Sequence, residues 1–160
     1  MRLAPLDIRG FSHVCISVAD IERSLRFYRD VLGLRVIFDV ELAGSGMEGA
    51  TGEPGARGRM VGCLVPGSRV TIELLGFAHR DPAATRKPVR AAYGYSNVAL
   101  TVADLALARR QLAAHGVDPL GEPVEVAGVR MFFVRDPDGT PLEIVEFPRG
   151  ALSSADHNGA

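Results

Sequence analysis

Tryptophan is absent, cysteine occurs twice, and aromatic residues make up only 6% of the chain. So sparse a set offers no platform for stacking nucleic-acid bases. Charge of one sign is also missing: basic and acidic residues are interspersed and sum to −1. Phosphate binding needs a concentrated basic face, which argues against nucleic acid as a main partner. No apolar run approaches the ~20 residues of a membrane span, and the first residues carry no signal-peptide apolar core. The expectation is a cytoplasmic protein with no membrane partner. Cys15 and Cys63 lie in apolar, strand-like segments without a Cys-x-x-Cys pair. That reads as two buried thiols, not as a disulfide or a thiolate metal site.

What is present is a repeat. Phe11-Ser12-His13-Val14-Cys15-Ile16-Ser17-Val18-Ala19-Asp20-Ile21 returns 84 residues later as Tyr95-Ser96-Asn97-Val98-Ala99-Leu100-Thr101-Val102-Ala103-Asp104-Leu105. Five of the eleven positions are identical, and five more are swaps of similar size or chemistry. The position that breaks the pattern most is His13 against Asn97: the first copy offers a strong metal ligand and the second does not.

The flanking patterns repeat as well. Residues 9–18 alternate with period two and read as a strand with His13, Cys15 and Ser17 on one face. Asp20 stands at an N-cap position, Ile21, Leu25, Tyr28 and Leu32 recur at helical spacing, and Gly33 closes the helix. Residues 34–42 favour sheet. Strands at 59–65 and 69–77 flank the turn Pro66-Gly67-Ser68. In the second half, residues 94–102 form a strand and Asp104 caps a helix ending at Gly116. Short strands follow near 119–126, 129–134 and 141–147, the last two separated by Asp136-Pro137-Asp138-Gly139. Each half thus reads strand–helix–strand–strand–strand. Glu73 and Glu143 hold matching places in otherwise apolar fourth strands, where a carboxylate needs a partner.

The expected fold is α+β: two βαβββ modules, residues 9–77 and 94–147, forming a curved mixed-sheet cleft. Residues 1–8 read as an N-terminal extension, 78–93 as a linker and 148–160 as a disordered tail. Pseudo-twofold pairing would bring His13, Glu73, Asn97 and Glu143 together in the cleft. Between the modules' common elements, residues 43–58 carry a glycine at every third position from Gly46 to Gly58. They read as a long flexible loop, with a substrate lid as the functional alternative. Arg80, Arg86, Lys87 and Arg90 in the linker read as a solvated loop or as an anion clamp. His79 and His157 read as exposed, and Tyr93 and Tyr95 as packing residues. His115 reads as a helix C-terminal partner.

The His-Val-x-Ile-x-Val-x-Asp-Ile stretch resembles the vicinal oxygen chelate superfamily, which includes glyoxalase I, epimerases, extradiol dioxygenases and antibiotic-resistance proteins. Phe27-Tyr28, Leu32-Gly33-Leu34, Ile72-Glu73-Leu74, Asp136-Pro137-Asp138-Gly139 and Leu142-Glu143-Ile144 extend the resemblance over residues 9–147. It implies paired βαβββ modules, one divalent metal ion in the cleft and a homodimer. The glyoxalase-like ligand pattern is His, Glu, His, Glu on the first and fourth strands. His13, Glu73 and Glu143 match it, and Asn97 stands where the second His is expected.

An imidazole and two carboxylates suit Zn, Fe, Mn, Co or Ni and leave positions open for substrate. An Asn97 carbonyl ligand would tilt the preference toward Mn or Mg; alternatively Asn97 bonds to a metal-held water or to substrate. In this reading a small carbonyl substrate chelates the metal through two oxygens. Glu73 or Glu143 removes the adjacent proton, and the metal stabilises the enolate, giving a lyase or isomerase reaction. Three alternatives stay open. One is an extradiol-type dioxygenase with an altered metal triad. Another is a metal-free antibiotic-binding protein using a cleft lined by Cys15, Ala99, Leu75 and Val145. The last is a vestigial cleft in which His13, Glu73 and Glu143 satisfy one another.

Overall fold

The computed structural model describes residues 6, 7, 10–78 and 97–148. Of the sequence expectations, those for residues 79–96, 149–160 and most of 1–9 lie outside these. They include His79, the basic residues at 80, 86, 87 and 90, Tyr93, Tyr95 and His157.

Strand β1 (His13–Ser17) leads into α1 (Ile21–Leu25), which continues as a π-helical turn over Arg26–Val31. Strand β2 (Arg35–Leu42), helix α2 (Ser45–Thr51), β3 (Gly58–Leu64) and β4 (Thr71–Phe77) complete the first half. The second runs β5 (Val98–Thr101), α3 (Leu105–Ala114), β6 (Val124–Val126), β7 (Val129–Arg135) and β8 (Pro141–Glu146). Each half makes a four-stranded mixed sheet, in the orders β1-β4-β3-β2 and β5-β8-β7-β6. The first and fourth strands of each half run parallel; all other pairs are antiparallel. Among the described residues no helix is long and apolar enough to cross a membrane.

The duplicated Asp has the same task in both copies. Asp20 accepts from Arg23 N at 3.0 Å, and Asp104 accepts from Leu107 N at 2.8 Å, so each caps its helix with its own side chain. Gly33 (φ 74°) ends the first helix in a conformation open to glycine. The expected α-helix through Leu32 widens into the π-turn after Leu25, with Leu32 N bonded to Phe27 O. The wider turn lets Phe27 and Tyr28 both face inward, their rings edge-to-face at 5.1 Å.

Two further expectations are corrected. The glycine-rich stretch is not wholly a loop: α2 forms within it, bounded by Gly44 (φ 78°) and by Gly52 as C-cap. Met47 explains this, because it is buried with Ala56 against Leu75, and that tertiary contact outweighs weak local propensity. Cys15 is exposed rather than buried, while Cys63 is buried; both are free thiols. Cys15 belongs to the face of β1 that carries His13, not to the face that packs.

One apolar core joins the halves. Ile16, Val61, Ile72 and Leu74 from the first sheet and Phe132, Val134, Leu142 and Ile144 from the second belong to a single buried cluster. A polar clasp crosses it. The Asp136 carboxylate, on a residue only 4% exposed, accepts from the Tyr28 hydroxyl at 2.9 Å, Asp138 N at 2.9 Å and Thr140 N at 2.7 Å. Asp138 in turn accepts from Ala19 N at 3.0 Å and pairs with Arg23. The turn between β7 and β8 is thereby held to the first helix.

Burial raises the Asp136 carboxyl above its ordinary value of 3.8, against the opposing pull of its hydrogen bonds. A carboxyl whose folded value is raised adds stability that is full below its unfolded value and is lost as pH rises through the folded one. Asp136→Asn keeps an acceptor for both backbone donors and removes the ionisation. Urea unfolding is therefore expected to show the Asn variant gaining on wild type between pH 4 and pH 7, whereas Asp136→Ala strands three buried donors and loses about 2–4 kcal/mol at either pH.

Candidate functional site

Strand alternation and the parallel register assemble the first pair of candidate side chains. Cys15 lies opposite Glu73 and His13 opposite Thr71, so His13, Cys15 and Ser17 share a face with Thr71, Glu73 and Leu75. The other face, with Ile16, Ile72 and Leu74, enters the core. His13 Nδ1 stands 3.6 Å from Glu73 Oε1, with the imidazole side chain 44% exposed and the carboxylate 13%. The Ser12 hydroxyl lies 3.1 Å from the same nitrogen and donates to it in the tautomer protonated at Nε2.

The second half repeats the arrangement with one change of chemistry. Ala99 lies opposite Glu143, and Asn97, just ahead of β5, reaches across to it. Asn97 Nδ2 donates to Glu143 Oε2 at 2.9 Å. The amide nitrogen has to face the carboxylate, since an amide oxygen there would meet it lone pair to lone pair. In both halves, then, a side chain from the start of the first strand engages the Glu of the fourth.

The four residues do not converge within one chain. His13 with Glu73 and Asn97 with Glu143 form two separate pairs, and among the described residues no three His, Cys, Asp or Glu side chains gather to hold a metal ion. The physical reason is the shared core. Each sheet turns its inner face to that core and carries its acid on the opposite one.

In the first pair the donor types, an imidazole and a carboxylate, fit a divalent ion. Bonds of about 2.0–2.2 Å to one ion place two ligand atoms roughly 3.0–3.6 Å apart. The His13–Glu73 gap has this size and is longer than a good hydrogen bond. Beside the pair, α2 and the segment after it build an apolar wall: Met47 and Ala56 pack on Leu75, with Met60 and Phe77 alongside, two residues along β4 from Glu73. Among the described residues the second half has no such cover, and Val124 and Val126 are 50% and 60% exposed. The sequence signalled this wall only through Met47, the one large apolar residue among the glycines.

Residues 10–144 match the Glyoxalase/Bleomycin resistance protein/Dioxygenase superfamily. The chain is 27% identical over 147 residues to a 2-epi-5-epi-valiolone epimerase from Actinomyces sp, covering 87% of this chain and 80% of that one. It is 26% identical over 147 residues to a lactoylglutathione lyase from Haemophilus influenzae, covering 84% and 90%. Among solved structures, a glyoxalase family protein from Bacillus cereus superposes with a TM-score of 0.79 at 23% identity, covering 91% of this chain and 98% of that one. That likeness bears on the fold.

The exposed thiol reports on the first pair. Partial burial, and secondly the Glu73 charge, raise the Cys15 thiol above its ordinary value. A maleimide is expected to label Cys15 in the folded protein and Cys63 only after unfolding. Glu73→Gln removes the neighbouring charge, increases the thiolate fraction at a given pH and speeds Cys15 labelling, read by mass spectrometry; an unchanged rate would mean the two groups are not neighbours.

Proposed function

The chain belongs to the Glyoxalase/Bleomycin resistance protein/Dioxygenase superfamily, and on that footing we propose that it is a divalent-metal-dependent lyase or isomerase. Its substrate is a small carbonyl compound that presents two neighbouring oxygens. The observation that carries the reading is the first pair: an imidazole and a carboxylate 3.6 Å apart on a half-open sheet face. Epimerase and lyase relatives support the reaction class. The missing imidazole at position 97 speaks against a ring-cleaving oxygenase, whose iron site uses two His and one carboxylate.

His13 and Glu73 would hold the ion from one side and Glu143 from the other. Bound there, a divalent ion supplies Lewis acidity, polarising the substrate carbonyl and offsetting charge that develops on it. The chain's own residues do the rest. Glu73 and Glu143 are the groups able to take the proton next to that carbonyl and return it. Asn97 fixes the Glu143 rotamer through its 2.9 Å bond, so one carboxylate oxygen is committed and the other presented. Asn97 thus acts through Glu143 and is not itself counted among the ligands. The Met47 wall limits water on the Glu73 side.

Since one chain keeps the two pairs apart, the site is completed by a second copy in a homodimer. His13 and Glu73 of one chain face Glu143 and Asn97 of the other, and a twofold axis gives two equal sites.

Complementation tests this directly. His13→Ala and Glu143→Ala are each expected to lose stoichiometric metal. Unfolded together and refolded, they form mixed dimers in which one site carries both substitutions and the other none. Metal content, read by elemental analysis, then returns to about a quarter of wild type, the statistical yield of intact sites. No recovery would mean that each site draws its ligands from one chain. A wild-type protein that binds no divalent metal would overturn the enzyme reading in favour of a metal-free binding protein.

A further inference from the structure

The carboxylates are not the only groups that the two halves match. In the second half Phe133 on β7 lies directly opposite Glu143 on β8, so an aromatic ring stands beside the acid on the same sheet face. In the first half the residue opposite Glu73 is Gly62, which has no side chain to offer. The ring comes instead from the next strand. Phe38 pairs with Gly62, and its Cδ1, Cε1 and Cζ atoms occupy the place where a Cβ at residue 62 would stand.

A backbone irregularity makes this placement. In an unbroken strand, residues 36 and 38 would face the same side. Val36 instead packs against the main core opposite Cys63, while Phe38 faces the other way, over Gly62. The β2–β3 register shifts between them, leaving Ile37 as the extra, exposed residue. Such bulges re-aim side chains, and this one moves a ring from the core side to the acid side. Phe38 is half-buried there and belongs to neither apolar cluster of the described residues. Bulge, glycine and ring together give the first half the feature that Phe133 gives the second.

We propose that Phe38 and Phe133 are specificity residues: they are the aromatic walls that receive a flat, apolar substituent of the ligand whose paired oxygens address the carboxylates. The substrate class narrows to vicinal-oxygen compounds bearing an aryl or other planar apolar group next to the chelating atoms. The inference rests on the metal-chelating reading above. A ring whose only task was to cover the Gly62 backbone would have no counterpart in the second half, where no glycine lies opposite the acid.

Two probes that chelate through the same atoms separate ring contact from chelation. Co²⁺-loaded homodimer is titrated calorimetrically with acetohydroxamate and with benzohydroxamate. Wild type is expected to prefer benzohydroxamate by about tenfold, and Phe38→Leu or Phe133→Leu each reduces that ratio to roughly two- or threefold, with acetohydroxamate affinity held within about twofold. Gly62→Ala leaves both rings in the sequence but pushes Phe38 off its seat, and is expected to lower the ratio like Phe38→Leu. The unfolding midpoint of each variant confirms a folded dimer, and the ratio is insensitive to modest loss of stability. A wild-type ratio near one, or a ratio unchanged in both Leu variants, overturns the aromatic walls and leaves the chelating site standing. Failure of wild type to bind either hydroxamate overturns the chelating site, and this inference with it.

Discussion

Everything that places the candidate site depends on a buried carboxylate. Asp136 lies between the halves of the chain, where an acid is tolerated only if its oxygens are met. One hydroxyl and two backbone amides meet them. Because the hydroxyl comes from Tyr28 in the first half and the amides from the β7–β8 turn in the second, satisfying the acid docks one half on the other. Asp138 adds the Ala19 amide and Arg23 to the same joint. Apolar burial supplies most of the driving force for such a contact but is indifferent to small slides. The directed bonds to Asp136 are not, and they fix the register in which the two inner faces meet. With those faces joined, the acid-bearing faces are left outward, and His13–Glu73 and Asn97–Glu143 stand as two separate pairs.

The repeat made much of this legible in advance. The period-two strands, the Asp caps of both helices, the Gly33 terminator and the matched acids on the fourth strands are local signals, and each appears where the pattern placed it. The family match spans the same repeated elements, over residues 10–144. What the sequence concealed was decided by contacts between distant segments. Helix α2 owes its existence to Met47 meeting Leu75, and nothing in a glycine-rich stretch announces that. Asp136-Pro137-Asp138-Gly139 read as a turn, which it is, but its side chains serve the opposite half. Alternation assigned Cys15 to the His13 face without saying that the face stays open. The separation of the two pairs was hidden for the same reason: a face pattern says which residues point together, not what lies opposite them.

The two halves have diverged unevenly from their common plan. The first keeps the imidazole, gains the α2 wall and needs a bulge to bring in its ring. The second has an amide in place of the imidazole, no cover among the described residues, and a ring already in register. Asn97 and His13 nevertheless make the same gesture toward a Glu, so an amide replaces an imidazole while the contact is preserved.

The parallel pairing of first and fourth strands has a kinetic consequence. β2, β3 and β4 neighbour one another in sequence, so their antiparallel contacts close comparatively short loops. β1 reaches β4 across a far longer one, His13 meeting Thr71, and β5 reaches β8 in the same manner, Val98 meeting Leu142. Loop-closure entropy makes such long-range pairings late and slow. Each of the two side-chain pairs is split across that last seam, the His or Asn entering with the late strand and the Glu waiting on the early one. A chain halted part-way through folding would therefore have most of its sheet and none of its site.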